Sequence, residues 1–292
     1  MKHLGALLLI LFLFGQIFSQ TTLPGHYAQL GKLNAARSSE RKTLDAITFP
    51  WTEYSKSALS YTLFRTVYLL PADEAILPDL IRFPANSSAQ TRAELNYLLS
   101  LQKSRTPEEI KRAEYIANIG AWPTILNPKD SGYVENRRQL FYMSQPVGQW
   151  LNPDEFPAIT KLLMNCIQDI RATEFRLKKH FVRARPYHLE PDLQPLARIN
   201  SPSFPSGHSL WAFSQAYLFS IVMPEKKDNF IDMAEEVRWS RELLGIHYPS
   251  DNEASKVISL SLLKYWHKNP QFVKDLQAAK KEWNAKKSLY EK

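Results

Sequence analysis

The chain has 292 residues, 44% of them hydrophobic and 23% charged, proportions that suit a globular protein with a sizeable core. Lysine and arginine outnumber aspartate and glutamate by 37 to 29, a formal net charge of +8 that favours an anionic partner. The charge is scattered and no RNA- or DNA-binding motif accompanies it, so a small phosphorylated molecule explains it as well as nucleic acid does. The single cysteine, Cys166, excludes an intramolecular disulfide.

The chain opens with Lys2 and the apolar run Leu4 to Phe14, and Ser19 offers a cleavage point. Residues 1–19 read as a secretory signal, which implies a periplasmic or secreted protein. The rival reading is an uncleaved anchor, but the run is short for a span. No cysteine stands near the cleavage region to carry a lipid, and Cys166, among Leu162, Leu163 and Ile167, reads as a buried small hydrophobe.

Residues 20–50 are polar and suit a surface helix or arm. From Thr52 to Leu70 the spacing of Tyr54, Leu59, Tyr61, Leu63, Phe64 and Val67 predicts a helix ending before Pro71. Pro84 to Ser88 is a turn, and Ser88 caps a helix through Leu95, Leu98, Leu99 and Leu101. Thr106-Pro-Glu-Glu is a strong start for a helix running to about Ile119, before Gly120. Residues 121–150 are loop-rich. Asn152-Pro-Asp-Glu is expected to open a long helix carrying Leu162, Cys166, Ile170, Thr173 and Leu177. Pro202 and Pro205 mark a tight loop feeding a helix from about Ser209, a further helix spans about 226–246, and Ser250-Asp-Asn-Glu reads as a capping box. A charged surface helix runs from Pro270 to about Leu289. No β-pattern or repeat appears, and glycine is sparse at nine residues. The reading is all-α, one domain over residues 20–292, with 20–67 an extension of undefined role.

Three stretches carry chemistry. Lys178 and Arg185, seven apart and closed by Pro186, are either a solvated basic face or a phosphate grip. Pro205-Ser-Gly-His208 at a helix start leaves backbone N–H groups free for an anion beside an imidazole. Arg241 falls on the apolar stripe Phe230, Met233, Ala234, Val237, Leu244, and a core-facing guanidinium needs an anion, either a carboxylate or a bound phosphate. Next comes His247-Tyr-Pro-Ser-Asp251, where Asp251 can fix the imidazole tautomer and free the other nitrogen as a nucleophile; a purely structural His–Asp pair is the alternative. These contexts match no familiar zinc spacing.

Together, Lys178-x6-Arg185-Pro186, Pro205-Ser-Gly-His208 and Ser240-Arg241-x5-His247-x3-Asp251 resemble the type 2 phosphatidic acid phosphatase superfamily, and within it the bacterial class A non-specific acid phosphatases. The latter likeness extends to Leu69-Leu-Pro, Gln90-Thr-Arg-Ala-Glu-Leu, Glu155-Phe-Pro-Ala-Ile-Thr-Lys-Leu-Leu and Asn269-Pro-Gln-Phe; residues 20–67 have no counterpart in it. The resemblance implies a helical bundle of the phosphatidic acid phosphatase and vanadium haloperoxidase type. It implies that Lys178, Arg185, Arg241 and the N–H groups of Ser206 and Gly207 hold phosphate. His247 is then the nucleophile, Asp251 orients it and His208 protonates the leaving alkoxide, with no metal and no cofactor, although vanadate could fill the pocket. The expected substrate is a small phosphomonoester. A lipid phosphate or isoprenyl pyrophosphate phosphatase at the membrane face, a vanadium haloperoxidase and a non-enzymatic phosphate-binding protein are the competing readings. No stable membrane insertion is expected after signal cleavage, and a homo-oligomer is compatible with the sequence.

Overall fold

The computed structural model describes residues 38–290, so the expected signal segment lies outside the described residues. Nine helices of eight or more residues carry the described fold: α1 (Ser38–Asp45), α2 (Ala89–Ser104), α3 (Pro107–Ala117), α4 (Tyr133–Leu140), α5 (Pro157–Phe181), α6 (Gly207–Val222), α7 (Lys227–Leu243), α8 (Pro249–Trp266) and α9 (Pro270–Lys286). Among the described residues there is no strand, only one isolated antiparallel bridge between Thr48 and Arg183. The all-α expectation holds.

The helix starts with local signals form as their sequences dictate. Ser88 Oγ accepts from Thr91 N–H at 3.1 Å to cap α2. Thr106 and Glu109 close a reciprocal capping box on α3, with Pro107 in the first turn. Helix α6 is buried nearly all round and packs against α5, α7, α8 and α9, as an axis hydrophobic on every side must. Trp211, Trp266 and Trp283 are fully buried in the main core.

Three expectations are corrected. No continuous helix spans 52–70; short helical turns at Trp51–Glu53, Lys56–Ser60 and Tyr61–Leu63 give way to extended chain. The cause is Asp169 on α5. Its buried carboxylate accepts the N–H groups of Tyr68 (3.0 Å) and Leu69 (2.7 Å), as well as those of Val67 and the Trp266 indole, so these amides are withdrawn from a helical ladder. Burial still pushes the Asp169 carboxyl up to about 6. The long helix α5 begins at Pro157 rather than at Asn152, whose side chain instead accepts from Asp154 N–H in a turn. At α8 the cap is not Ser250: Pro249 opens the helix and Asp251 reaches back to the Tyr248 N–H at 3.0 Å.

Helix α5 ends at Val182, which adopts a left-handed conformation (φ 49°) unusual for a β-branched residue. Its N–H donates to Lys178 O at 3.0 Å and its carbonyl accepts from Phe49 N–H at 2.9 Å. This turn sends the chain from Lys178 directly into Arg183 and Arg185.

Candidate active site

Four cations from the stretch 178–241 are buried side by side, and they divide into two kinds. Arg183 is compensated: Nη1 donates to Asp251 Oδ1 at 2.7 Å, Nη2 lies 3.4 Å from Glu94, and the guanidinium stacks 3.8 Å from the Tyr248 ring centroid. Among the described residues, Lys178, Arg185 and Arg241 have only neutral hydrogen-bond partners. The Lys178 ammonium donates to the carbonyls of Pro202 and Pro205, each at 2.7 Å. Arg185 donates to the carbonyls of Ser201 (2.9 Å) and Ile246 (2.8 Å). Arg241 donates to Ser240 Oγ at 2.8 and 3.0 Å, and lies 3.4 Å from the Ala113 carbonyl. Burial pushes Lys178 down to about 7, with Arg185 adding to the shift, and burial brings Arg241 down to about 9. A cation taken out of water without a counter-charge costs several kcal/mol, on the order of what a bound anion returns.

His247 faces this group. Its Nδ1 lies 3.0 Å from Asp251 Oδ2, and its Nε2 lies 2.9 Å from Arg185 Nη1. A guanidinium only donates, so Nε2 is the unprotonated nitrogen and Nδ1 carries the hydrogen given to Asp251. Asp251 also accepts from Ser203 Oγ (2.5 Å), the Tyr248 N–H and Arg183. Arg183, His247 and Ser203 hold its carboxyl well below the usual carboxylate range even though burial opposes them. Burial first, then Arg185, pushes His247 well below its ordinary value, so the ring is neutral with a lone pair aimed at the cations.

The loop before α6 supplies the opposite wall. At the first turn of α6, the amides of Gly207 and His208 have no acceptor within the helix, and the helix dipole favours negative charge there. The Ser206 N–H, expected to face phosphate, instead donates to the Asp251 carbonyl at 3.2 Å, so that amide ties the loop to α8. A Cβ at Gly207 would lie 1.9 Å from Glu174 Oε1, so only glycine admits this approach. Glu174, one turn before Lys178, is paired with Arg171 at 2.8 Å. His208 donates from Nε2 to the Ala117 carbonyl at 3.2 Å, since a carbonyl only accepts. Burial, then Arg241, Arg171 and His247, push its imidazole well below the ordinary value. Beside it opens a cleft of about 260 Å³ lined in part by Trp122, Ile125, Asn136 and Gln139.

The structure therefore brings Lys178, Arg185, Gly207, His208, Arg241, His247 and Asp251 to one place, and leaves the Ser206 amide engaged elsewhere. Reading the sequence alone missed Arg183, Glu94, Ser203 and Glu174. Among the described residues no three His, Cys, Asp or Glu side chains converge as a metal site.

Residues 158–274 match the PAP2 superfamily. These residues are similar to that superfamily. All three motif stretches lie within the matched residues. The chain is 30% identical over 148 residues to a non-specific acid phosphatase of Providencia stuartii, covering 48% of this chain and 59% of that protein. It is 29% identical over 167 residues to a non-specific acid phosphatase of Salmonella typhimurium, covering 54% and 65% respectively. The chain thus spans less than two thirds of the length of these relatives. Among solved structures, a holo-type bacterial vanadium-dependent chloroperoxidase shares the fold of this chain with a TM-score of 0.51 at 10% identity, over 76% of this chain and 55% of that one. No helix among the described residues is long and apolar enough to cross a membrane.

Proposed function

We propose that the chain is an exported acid phosphatase that hydrolyses small phosphomonoesters through a phosphohistidine. The observation that carries this reading is the set of three buried cations with no carboxylate partner among the described residues, facing the lone pair of His247. A phosphoryl dianion is the ligand that such a set accommodates. Two opposite unit charges about 4 Å apart attract by about 4 kcal/mol at an effective dielectric of roughly 20, so three cations offset the cost of dehydrating the dianion.

In this reading His247 Nε2 attacks phosphorus, a P–N bond forms and the ester P–O bond breaks. His208, raised to its cationic form by the bound dianion, gives a proton to the departing alkoxide and is left neutral, and the alcohol occupies the cleft beside that ring. Water then attacks the phosphohistidine, giving its proton to His208 as the P–N bond breaks and phosphate leaves. Asp251 keeps the Nδ1 hydrogen in place and stabilises the cationic phosphoimidazole. Lys178, Arg185 and Arg241 spread the phosphoryl charge, so the chemistry requires neither a metal nor an organic cofactor, and vanadate, a tetrahedral oxyanion, fits the same cations as an inhibitor.

The test is His247→Ala together with acid-quench trapping of the phosphoenzyme. The variant is expected to lose turnover of p-nitrophenyl phosphate and the trapped label. Unchanged turnover would falsify the nucleophile assignment. Oxidation of bromide dependent on added vanadate, without phosphatase activity, would instead favour a haloperoxidase.

A further inference from the structure

The segment 47–66 lies well before the family-matched residues 158–274 and is laid across the loops that hold Arg185. The bridge of Thr48 to Arg183 and the Phe49 N–H to Val182 O bond pin one end. Glu53 meets His188 at 3.3 Å, and the other nitrogen of that ring accepts the backbone N–H of Arg185 at 3.2 Å. The Ser55 N–H donates to Asn200 O at 2.9 Å, next to Ser201, whose carbonyl and hydroxyl take the Arg185 guanidinium. Glu53 and Ser55 are thus each fastened to one side of the Arg185 mount. Tyr54 lies between them.

Tyr54 is only 6% exposed, with its ring held edge-on by Phe49 and stacked under Trp51. Its hydroxyl is fully buried and has no hydrogen-bond partner among the described residues. An unpaired buried hydroxyl is costly and needs a reason. Burial first, then the Glu174 carboxylate, keep this hydroxyl protonated against the opposing pull of Arg185, so it remains a donor across the working pH range. No other neighbour in the segment offers it an acceptor. Glu174 is engaged by Arg171 and makes no hydrogen bond to Tyr54, so the acceptor that suits this donor is an oxygen of the anion that Arg185 binds.

We propose that Tyr54 is a substrate-binding residue, donating a hydrogen bond to a phosphoryl oxygen held by Arg185, and that the segment 47–66 exists in part to deliver it. This rests on the phosphatase reading. It gives the N-terminal extension a role at the site: part of the phosphate pocket is supplied from outside the family motifs.

The test is Tyr54→Phe in the full chain, which keeps the ring and its packing and removes only the oxygen. The inhibition constant of inorganic phosphate and KM for p-nitrophenyl phosphate should each rise about tenfold or more, the range of a lost hydrogen bond to a charged group. The Tm without phosphate should stay level or rise, because an unpaired buried hydroxyl has gone. The increase in Tm on adding phosphate should shrink. Phe49→Leu, which loosens the same wall without touching the hydroxyl, should leave the phosphate constant within about twofold of wild type, a packing change of modest size. The inference is overturned if Tyr54→Phe binds phosphate as wild type does, or if Phe49→Leu weakens phosphate as much as Tyr54→Phe. A wild-type chain that neither binds phosphate nor turns over p-nitrophenyl phosphate removes the phosphatase reading itself, and with it this one.

Discussion

Replacing Asp251 by asparagine changes one oxygen to an amide and leaves the shape intact, so its effect isolates the charge. The carboxylate faces four donors: Arg183 on Oδ1, and His247 Nδ1, Ser203 Oγ and the Tyr248 N–H on Oδ2. An asparagine has one acceptor oxygen. If that oxygen takes the Oδ2 position, the amide hydrogens point at the Arg183 guanidinium, which is left with Glu94 at 3.4 Å and the Tyr248 ring. If the amide flips, its hydrogens point at Nδ1 and force the proton onto Nε2, against Arg185. Removing one member of a buried ion pair costs about 3–5 kcal/mol, and the remaining Glu94 puts this case near the lower figure. For a domain of this size that corresponds to a fall in Tm of roughly 6–12 °C. The loss in kcat should be larger in effect, on the order of 10³–10⁴, because the tautomer that exposes the nucleophilic lone pair is no longer enforced. Thermal unfolding and turnover of p-nitrophenyl phosphate measure the two separately. A folded Asp251→Asn protein with kcat within tenfold of wild type would refute the argument that this carboxylate sets the His247 tautomer.

His208→Ala should slow hydrolysis of an alkyl phosphate far more than that of p-nitrophenyl phosphate, whose phenolate leaves with little help from an acid; equal losses on both substrates would remove His208 from the acid role. Sulfate, a tetrahedral dianion that does not itself titrate near neutrality, should bind with uptake of protons. Lys178 (about 7) and both imidazoles are held low in the empty pocket, and an anion raises all three, so affinity should fall as pH rises through about 7; calorimetry in buffers of different ionisation heat reads the uptake, and none at pH 7 contradicts the cation assignment. Gly207→Ala should destabilise by about 1–3 kcal/mol because the new methyl meets Glu174, and truncating Glu174 to alanine in the same chain should recover part of the loss; strictly additive costs would show that this contact is not the limiting one.

Where a helix announces itself with its own residues, the sequence suffices. Ser88, Thr106-Pro107 and Asn269-Pro270 satisfy the first amides of their helices from within three residues, and all three helices start where those residues stand. The segment 52–70 shows why local pattern fails elsewhere. Its aromatic spacing suits a helix, but Asp169, about a hundred residues away, captures the amides of Val67, Tyr68 and Leu69, and Arg176 takes the carbonyls of Thr62 and Phe64. Competition from a distant buried group leaves no trace in a window of a dozen residues. The start of α8 is a related case: the acid that caps it is the same one that orients His247, so an ordinary capping device and an active-site contact share one carboxylate.

The cations and imidazoles of the site could be found because a charge on an apolar stripe is conspicuous. Arg241 interrupts Phe230, Ala234, Val237 and Leu244, and it is indeed buried without a carboxylate. The same test, applied throughout, marks residues that motif reading passed over. Glu94 stands on the stripe with Leu95 and Leu98, and it holds Ser250 and Arg183; Asp169 stands three residues after Cys166; Glu174 stands between Ile170 and Lys178 at steps of four. What the stripe cannot tell is the partner. Arg183 and Arg185 are two residues apart and equally buried, yet one is neutralised by Asp251 and Glu94 while the other meets only carbonyls, hydroxyls and an imidazole. That difference, which separates a scaffold cation from one with capacity left for a ligand, arises from helices α2 and α8 converging on Arg183 and from the Ser201 loop converging on Arg185. It exists only once the chain has folded.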